Sequence, residues 1–134
     1  MSIAFQKRLV IFSLIFTILV SVDQLSKKFA ILEVCNRGIA FGLNIGNSLL
    51  FILVLLLVLF LAFREKNKLV FFGLSAIFAG GFSNFLDRIL LGCVRDFISI
   101  YKMPIFNIAD VFITLGVLAI VLGYIIGNHN EHNF

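Results

Sequence analysis

The chain has 134 residues, 61% of them hydrophobic, with 17 Phe, no Trp and a single Pro. A soluble domain of this length cannot enclose so much apolar surface in one core, so lipid must be the solvent for much of the chain. The net charge of +4 sits in short clusters between apolar runs, without a basic stripe interleaved with aromatics. That pattern fits lipid headgroups and sets nucleic acid aside as a partner.

The first apolar run is Leu9 to Val22, led by Lys7 and Arg8 in the manner of a cleavable signal peptide. Val20-Ser21-Val22 is a poor small-residue cleavage site and three more runs follow, so a retained helix is expected. Phe29 to Leu43 mixes apolar and polar residues with Gly38 and Gly42, and reads as a small sheet or a surface-lying segment over the bundle. The remaining runs are Ser48 to Phe63, Leu69 to Leu86 and Ile108 to Ile126. Each run is near or short of the ~20 residues that cross a hydrocarbon core as a helix. Backbone groups in lipid must be satisfied internally, and the ten-residue alternation of a barrel is missing, so helices are expected. The fold class is an all-α membrane protein, with four transmembrane helices, a small β/loop element and one domain over residues 1–134.

Four spans return both chain ends to one side, with the Arg64 to Lys68 loop. The other side receives Asp23, Asp87, Asp96 and Asp110, every aspartate in the chain, together with Glu33. A polar cluster at membrane depth is a functional hypothesis by default. Loop charge does not orient the bundle: Lys7, Arg8, Arg64, Lys66 and Lys68 oppose Lys27, Lys28, Arg37, Arg88, Arg95 and Lys102. Cys35 and Cys93 lack metal-type spacing, and the two histidines, His129 and His132, lie in the polar tail, so no metal or other cofactor is expected. Two free thiols are expected, with a disulfide the less favoured alternative.

Three segments on the acidic side could carry chemistry. In Gly80 to Arg88, helical spacing places Gly80, Asn84, Asp87 and Arg88 on one stripe. Its plain reading is a solvated helix end. Val94-Arg95-Asp96-Phe97-Ile98 holds one carboxylate in a β-leaning run, and its plain reading is an exposed loop aspartate. In Asn107-Ile108-Ala109-Asp110, Asn107 is a good N-cap with Asp110 at N3, a competent structural role for both. Together these readings weaken, because separate segments bring Asp96 and Asp110 to the same face. Two close carboxylates share a proton, so one can act as base on a water while the other polarises a carbonyl.

Five blocks in order then resemble the lipoprotein signal peptidase family: Asp23-Gln24-Leu25-Ser26-Lys27, Asn36-Arg37-Gly38-Ile39-Ala40-Phe41-Gly42, Asn84-Phe85-Leu86-Asp87-Arg88, Val94-Arg95-Asp96-Phe97 and Phe106-Asn107-Ile108-Ala109-Asp110. The resemblance implies a membrane aspartic endopeptidase that removes the signal peptide of prolipoproteins just before a diacylglyceryl-modified cysteine. It implies catalytic Asp96 and Asp110, supported by Asp23, Asn36, Asn84, Asp87, Arg88 and Asn107. It also implies a bacterial inner membrane, cytoplasmic termini and an extracytoplasmic active site beside a small sheet and surface helix. The Lys28 to Asn36 connection is brief, which leaves the size of that extramembrane part open. Lipid-modified prolipoproteins and membrane lipids are the expected partners, and a monomer is expected. Asp23, four residues before Lys27, is expected to stabilise the outer end of the first helix. The alternative is a small four-helix multidrug transporter, which calls for an acid near the middle of a span. A non-catalytic assembly factor is a third reading, disfavoured by the intact dyad.

Overall fold

The computed structural model describes residues 3–37 and 45–131. Among them are four helices, α1 (Ile3–Phe29), α2 (Ile45–Arg64), α3 (Lys68–Leu91) and α4 (Ile108–Glu131), and two short strands, β1 (Val34–Asn36) and β2 (Val94–Asp96). The expected four-helix architecture with a small sheet is present. Ile3–Phe29, Lys68–Leu91 and Ile108–Gly127 are long and apolar enough to cross a membrane, and the apolar part of α2, Leu49–Arg64, is shorter. The helices outrun their apolar stretches. α1 continues past Val22 and so carries Asp23 and Lys27 within it, as α3 carries Asp87 and Arg88.

The bundle buries polar groups beside an apolar core and turns apolar side chains outward. Lys27, Asp23, Asp87, Ser75, Ser83 and Asn107 are among its largest fully buried side chains, whereas Leu53, Leu56, Leu57, Leu118 and Ile125 are exposed. In water that arrangement would be costly; in lipid the leucines are solvated and the polar groups satisfy one another. α3 packs against the other three helices. Glycine allows its close approach to α4: a Cβ on Gly73 would stand 2.5 Å from the Gly116 carbonyl oxygen, and one on Gly116 would stand 2.6 Å from that of Gly73. Phenylalanines fill the seam of α1, α2 and α3, with Phe12 5.2 Å from Phe63 and 5.4 Å from Phe78 between ring centroids.

Local chemistry fixes the ends of α3. Asn67 caps its start, accepting from the backbone N–H groups of Leu69 and Val70, and Gly92 ends it in the left-handed region at φ 74°. The chain leaves Gly92 through Cys93 into β2, which pairs antiparallel with β1 in the register Val34–Asp96, Cys35–Arg95 and Asn36–Val94. A bridge between Ile98 and Phe106 then folds the chain back on itself, with the Phe106 carbonyl accepting from the N–H groups of Phe97 and Ile98. This return loop delivers the start of α4 beside β2.

The structure corrects the reading of the cysteines. Cys35 and Cys93 form a disulfide with a Cα–Cα separation of 5.5 Å. Two free thiols are not what forms, because strand pairing places Cys35 opposite Arg95, two residues past Cys93, and so brings the sulfurs together. The mixed segment after Phe29 is in part the expected sheet; its portion from Gly38 to Leu43, and with it most of the Asn36 to Gly42 block, lies outside the described residues.

Candidate active site

All four aspartates gather at one end of the bundle, each held by groups from other elements. Asp96, on β2, is buried. Its Oδ2 accepts from Asn36 Nδ2 on β1 at 2.7 Å, and its Oδ1 accepts from Asn107 Nδ2 at 2.7 Å. Asp110, in the first turn of α4, accepts at Oδ1 from Asn84 Nδ2 at 2.9 Å and at Oδ2 from the Asn107 backbone N–H at 3.2 Å. Asn107 is therefore the joint between the two carboxylates. Its Oδ1 also accepts from the Asp110 N–H at 3.0 Å, closing a reciprocal cap of α4, as N-cap and N3 residues are expected to do. The capping role and the pairing with Asp96 coexist because they use different atoms of one side chain.

A second shelf of charge lies beneath. Lys27 Nζ is 2.6 Å from Asp23 Oδ2 and 3.2 Å from Asp87 Oδ2, and donates to Asn84 Oδ1 at 2.9 Å. Asn107 Nδ2 shares that Asn84 oxygen at 3.0 Å. Asn84 thus faces a cation and an amide with its oxygen, which turns its NH₂ toward Asp110. Asp23 does more than pair within its helix: it also accepts from the Ser83 hydroxyl and the Ala109 N–H, both at 2.7 Å, tying α1 to α3 and α4. Asp87 is gripped by Arg95, whose Nη2 approaches Oδ1 at 2.8 Å and whose backbone N–H donates to Oδ2 at 3.1 Å, so it anchors β2 to the end of α3. Arg88 donates weakly to the Asn84 carbonyl at 3.4 Å and lies over the Phe51 ring, within electrostatic reach of Asp87, Asp96 and Asp110. Every site residue expected from the sequence is therefore in one connected cluster.

Four members were not singled out as site residues: Lys27, Gln24, Ser83 and Arg95. Gln24 donates to Ser83 and Asp87 and accepts from Arg95, completing the lattice. The signal available was position, since Lys27 follows Asp23 by one turn and Arg95 precedes Asp96. What pattern alone could not supply is that Lys27 points inward to three partners.

Burial pushes the Asp96 carboxyl above its ordinary value, and the charge of Asp110 adds to that, while the amides of Asn36 and Asn107 oppose it. The side-chain hydrogen bond with Asp87 raises Arg95. Asp110 lines a cavity of ≈ 390 Å³ with Met103, Pro104, Phe106, Val111, Thr114 and Leu115, an otherwise largely apolar wall running down the outer face of α4. No group of three or more His, Cys, Asp or Glu side chains suited to a metal converges among the described residues. The arrangement is two carboxylates joined through Asn107, one of them lining a largely apolar recess.

A sequence profile of the family described as signal peptidase (SPase) II matches residues 4–126. The chain belongs to the signal peptidase II family. It is 46% identical over 87 residues to a lipoprotein signal peptidase of Caldicellulosiruptor bescii, covering 62% of this chain and 58% of that protein. It is 35% identical over 106 residues to a lipoprotein signal peptidase of Staphylococcus aureus strain JH9, covering 72% of this chain and 65% of that protein. The matches thus span about three fifths of these relatives' lengths. Two solved structures described as bacterial membrane enzymes have the same fold. One, at 1.9 Å resolution, aligns with a TM-score of 0.70 at 30% identity over 84% of this chain and 91% of that one; the other, at 2.3 Å, gives 0.72 at 28% identity over 92% of each. With its membrane-length helices, this member of the family is a multi-pass bacterial membrane protein. The transporter alternative gains no support, because the aspartates cluster at one end of the bundle and the family is a peptidase family.

Proposed function

We propose that this chain is an aspartic endopeptidase that removes the signal peptide from diacylglyceryl-modified prolipoproteins, hydrolysing the bond just before the lipidated cysteine, with Asp96 and Asp110 as its catalytic pair. The observation that carries the reading is the shared attachment of both carboxylates to Asn107, with Asp110 facing the apolar recess. The names of the relatives support the substrate class.

Burial raises the Asp96 carboxyl, which suits it to the acid role, and in this reading Asp110 draws a proton from water. The hydroxide attacks the scissile carbonyl, whose oxygen is polarised by the Asp96 proton. Collapse of the tetrahedral centre breaks the C–N bond, and the proton taken by Asp110 passes to the leaving amine. Asn107 and Asn84 hold the pair in register, Asn36 supports Asp96, and Asp23, Asp87 and Arg88 hold the end of the bundle together. The signal helix lies against the spans with its lipid tails still in the bilayer, which avoids ~0.8 kcal/mol for each CH₂ drawn into water.

The same reading places the dyad on the extracytoplasmic face of the inner membrane with both termini in the cytoplasm, in a single domain that works as a monomer. Loop charge leaves the orientation nearly tied, but the Cys35–Cys93 disulfide on the dyad side favours the oxidising compartment. The test offers the purified protein a diacylglyceryl-modified prolipoprotein beside its unlipidated form and sequences the new N-terminus. Cleavage of the lipidated form just before the modified cysteine is expected. Proton-coupled efflux from vesicles without any proteolysis would instead favour the transporter.

A further inference from the structure

We propose that the Cys35–Cys93 disulfide is a positioning device for the catalytic pair, holding β1 against β2 so that Asn36 keeps its hydrogen bond to Asp96. The inference rests on the peptidase reading of that pair.

β1 is short and gains little from apolar burial. The strand is three residues long, and every residue from Ile31 to Arg37 is exposed, including Ile31, Leu32 and Val34. Apolar burial therefore gives this segment little hold on the bundle, and a two-stranded sheet is marginal on its own. β2 is the fixed partner, because Val94 and Asp96 are buried and Arg95 is clamped to Asp87 through its side chain and its backbone N–H. The disulfide joins the middle residue of the loose strand to Cys93, the buried residue just before the fixed one. Its cross-link lies beside the Asn36–Val94 pair, and Asn36 Nδ2 reaches Asp96 Oδ2 at 2.7 Å. One covalent bond therefore sets the register of the residue that supports a catalytic oxygen. Since 58 positions separate the cysteines, the bond also suppresses a large set of open arrangements of β1.

Asn36 holds Asp96 directly, so through that contact loosening it should fall on kcat more than on KM. The bond is also reachable, because Cys35 is exposed. Dithiothreitol would deliver two electrons and two protons to the disulfide, leaving two thiols and a cyclic oxidised reagent. The thioether of a diacylglyceryl-modified cysteine is inert to that reaction, so substrate is unaffected.

The experiment measures steady-state cleavage of a lipidated prolipoprotein by the full chain in detergent, oxidised and after dithiothreitol, with helix content followed by circular dichroism. It is repeated for Cys35→Ala/Cys93→Ala, for Asn36→Ala and for the triple variant. Reduction, or the double alanine variant, should lower kcat about tenfold, the upper end of what one neutral hydrogen bond contributes, with KM changing less than about twofold. Re-oxidation should restore the rate. In the Asn36→Ala background, removing the disulfide should change kcat by less than about twofold. An unchanged kcat on reduction, an equal fall in the Asn36→Ala background, or loss of helix content on reduction would each overturn the proposal. Oxidised wild type that cleaves nothing defeats the peptidase reading itself, an outcome distinct from cleavage that ignores the disulfide.

Discussion

Replacing Lys27 by Met tests whether the buried lattice under the dyad is held by charge. Its ammonium group has no exposed surface and lies 2.6 Å from Asp23 and 3.2 Å from Asp87. Removing one partner of a buried ion pair costs about 3–5 kcal/mol, because the other charge is left uncompensated. Here Asp87 retains Arg95 at 2.8 Å, and Asp23 retains the Ser83 hydroxyl and the Ala109 N–H. The loss should therefore fall at the lower end, about 3 kcal/mol. Asn84 also loses its 2.9 Å donor, so turnover should fall in the fraction that stays folded. Denaturant unfolding in micelles, followed by circular dichroism, measures the stability term. Adding Asp23→Asn should recover part of it, since the double variant no longer buries an unpaired carboxylate, and a coupling of about 1–3 kcal/mol is expected. The neighbouring Lys28, which is exposed, serves as control, and Lys28→Met should be near neutral. If Lys27→Met costs under about 1 kcal/mol, or shows no coupling to Asp23→Asn, the charge lattice is not what holds this end of the bundle.

Further consequences follow from individual contacts. Gly80→Ala would place a Cβ 2.6 Å from the Ala109 carbonyl oxygen, so α4 must shift; a stability loss of about 1–3 kcal/mol and reduced turnover are expected by unfolding and cleavage assays. Asn107→Ala removes the cap of α4 and the amide on Asp96, and should cost about 1 kcal/mol in stability while lowering kcat more than KM. Because burial raises the Asp96 carboxyl, the folded protein favours its protonated form more than the unfolded chain does. Its contribution is full below the ordinary value of 3.8 and is lost as pH rises through the raised value, so the stability of wild type relative to Asp96→Asn should decline with rising pH over that window. Lys7→Ala, exposed at the far end of α1, should leave cleavage near wild type.

Composition and the placement of the polar residues made much of this architecture legible. Four apolar runs set the helices, and alternation of sides gathered Asp23, Asp87, Asp96 and Asp110 on one face, where the structure joins them. Asn107 with Asp110 was readable as a cap, because that role depends on a local spacing of three. What could not be read was direction over long separations. Lys27 looked like a surface partner of Asp23 because nothing in an i,i+4 pair says whether the helix turns it inward. Arg95 looked like an ordinary loop cation, although its clamp on Asp87 fixes the strand that carries Asp96. The disulfide is the less favoured reading from sequence for the same reason, since only the pairing of β1 with β2 brings Cys35 to Cys93.

The most direct measurement compares cleavage of a lipidated prolipoprotein by wild type, Asp96→Asn and Asp110→Asn, each shown to be folded in micelles. Wild type should release the signal peptide, and each single substitution should abolish turnover while the helices persist. Wild-type turnover by either folded variant would contradict the account, because the pair of carboxyl groups joined at Asn107 would then not be where the peptide bond is broken.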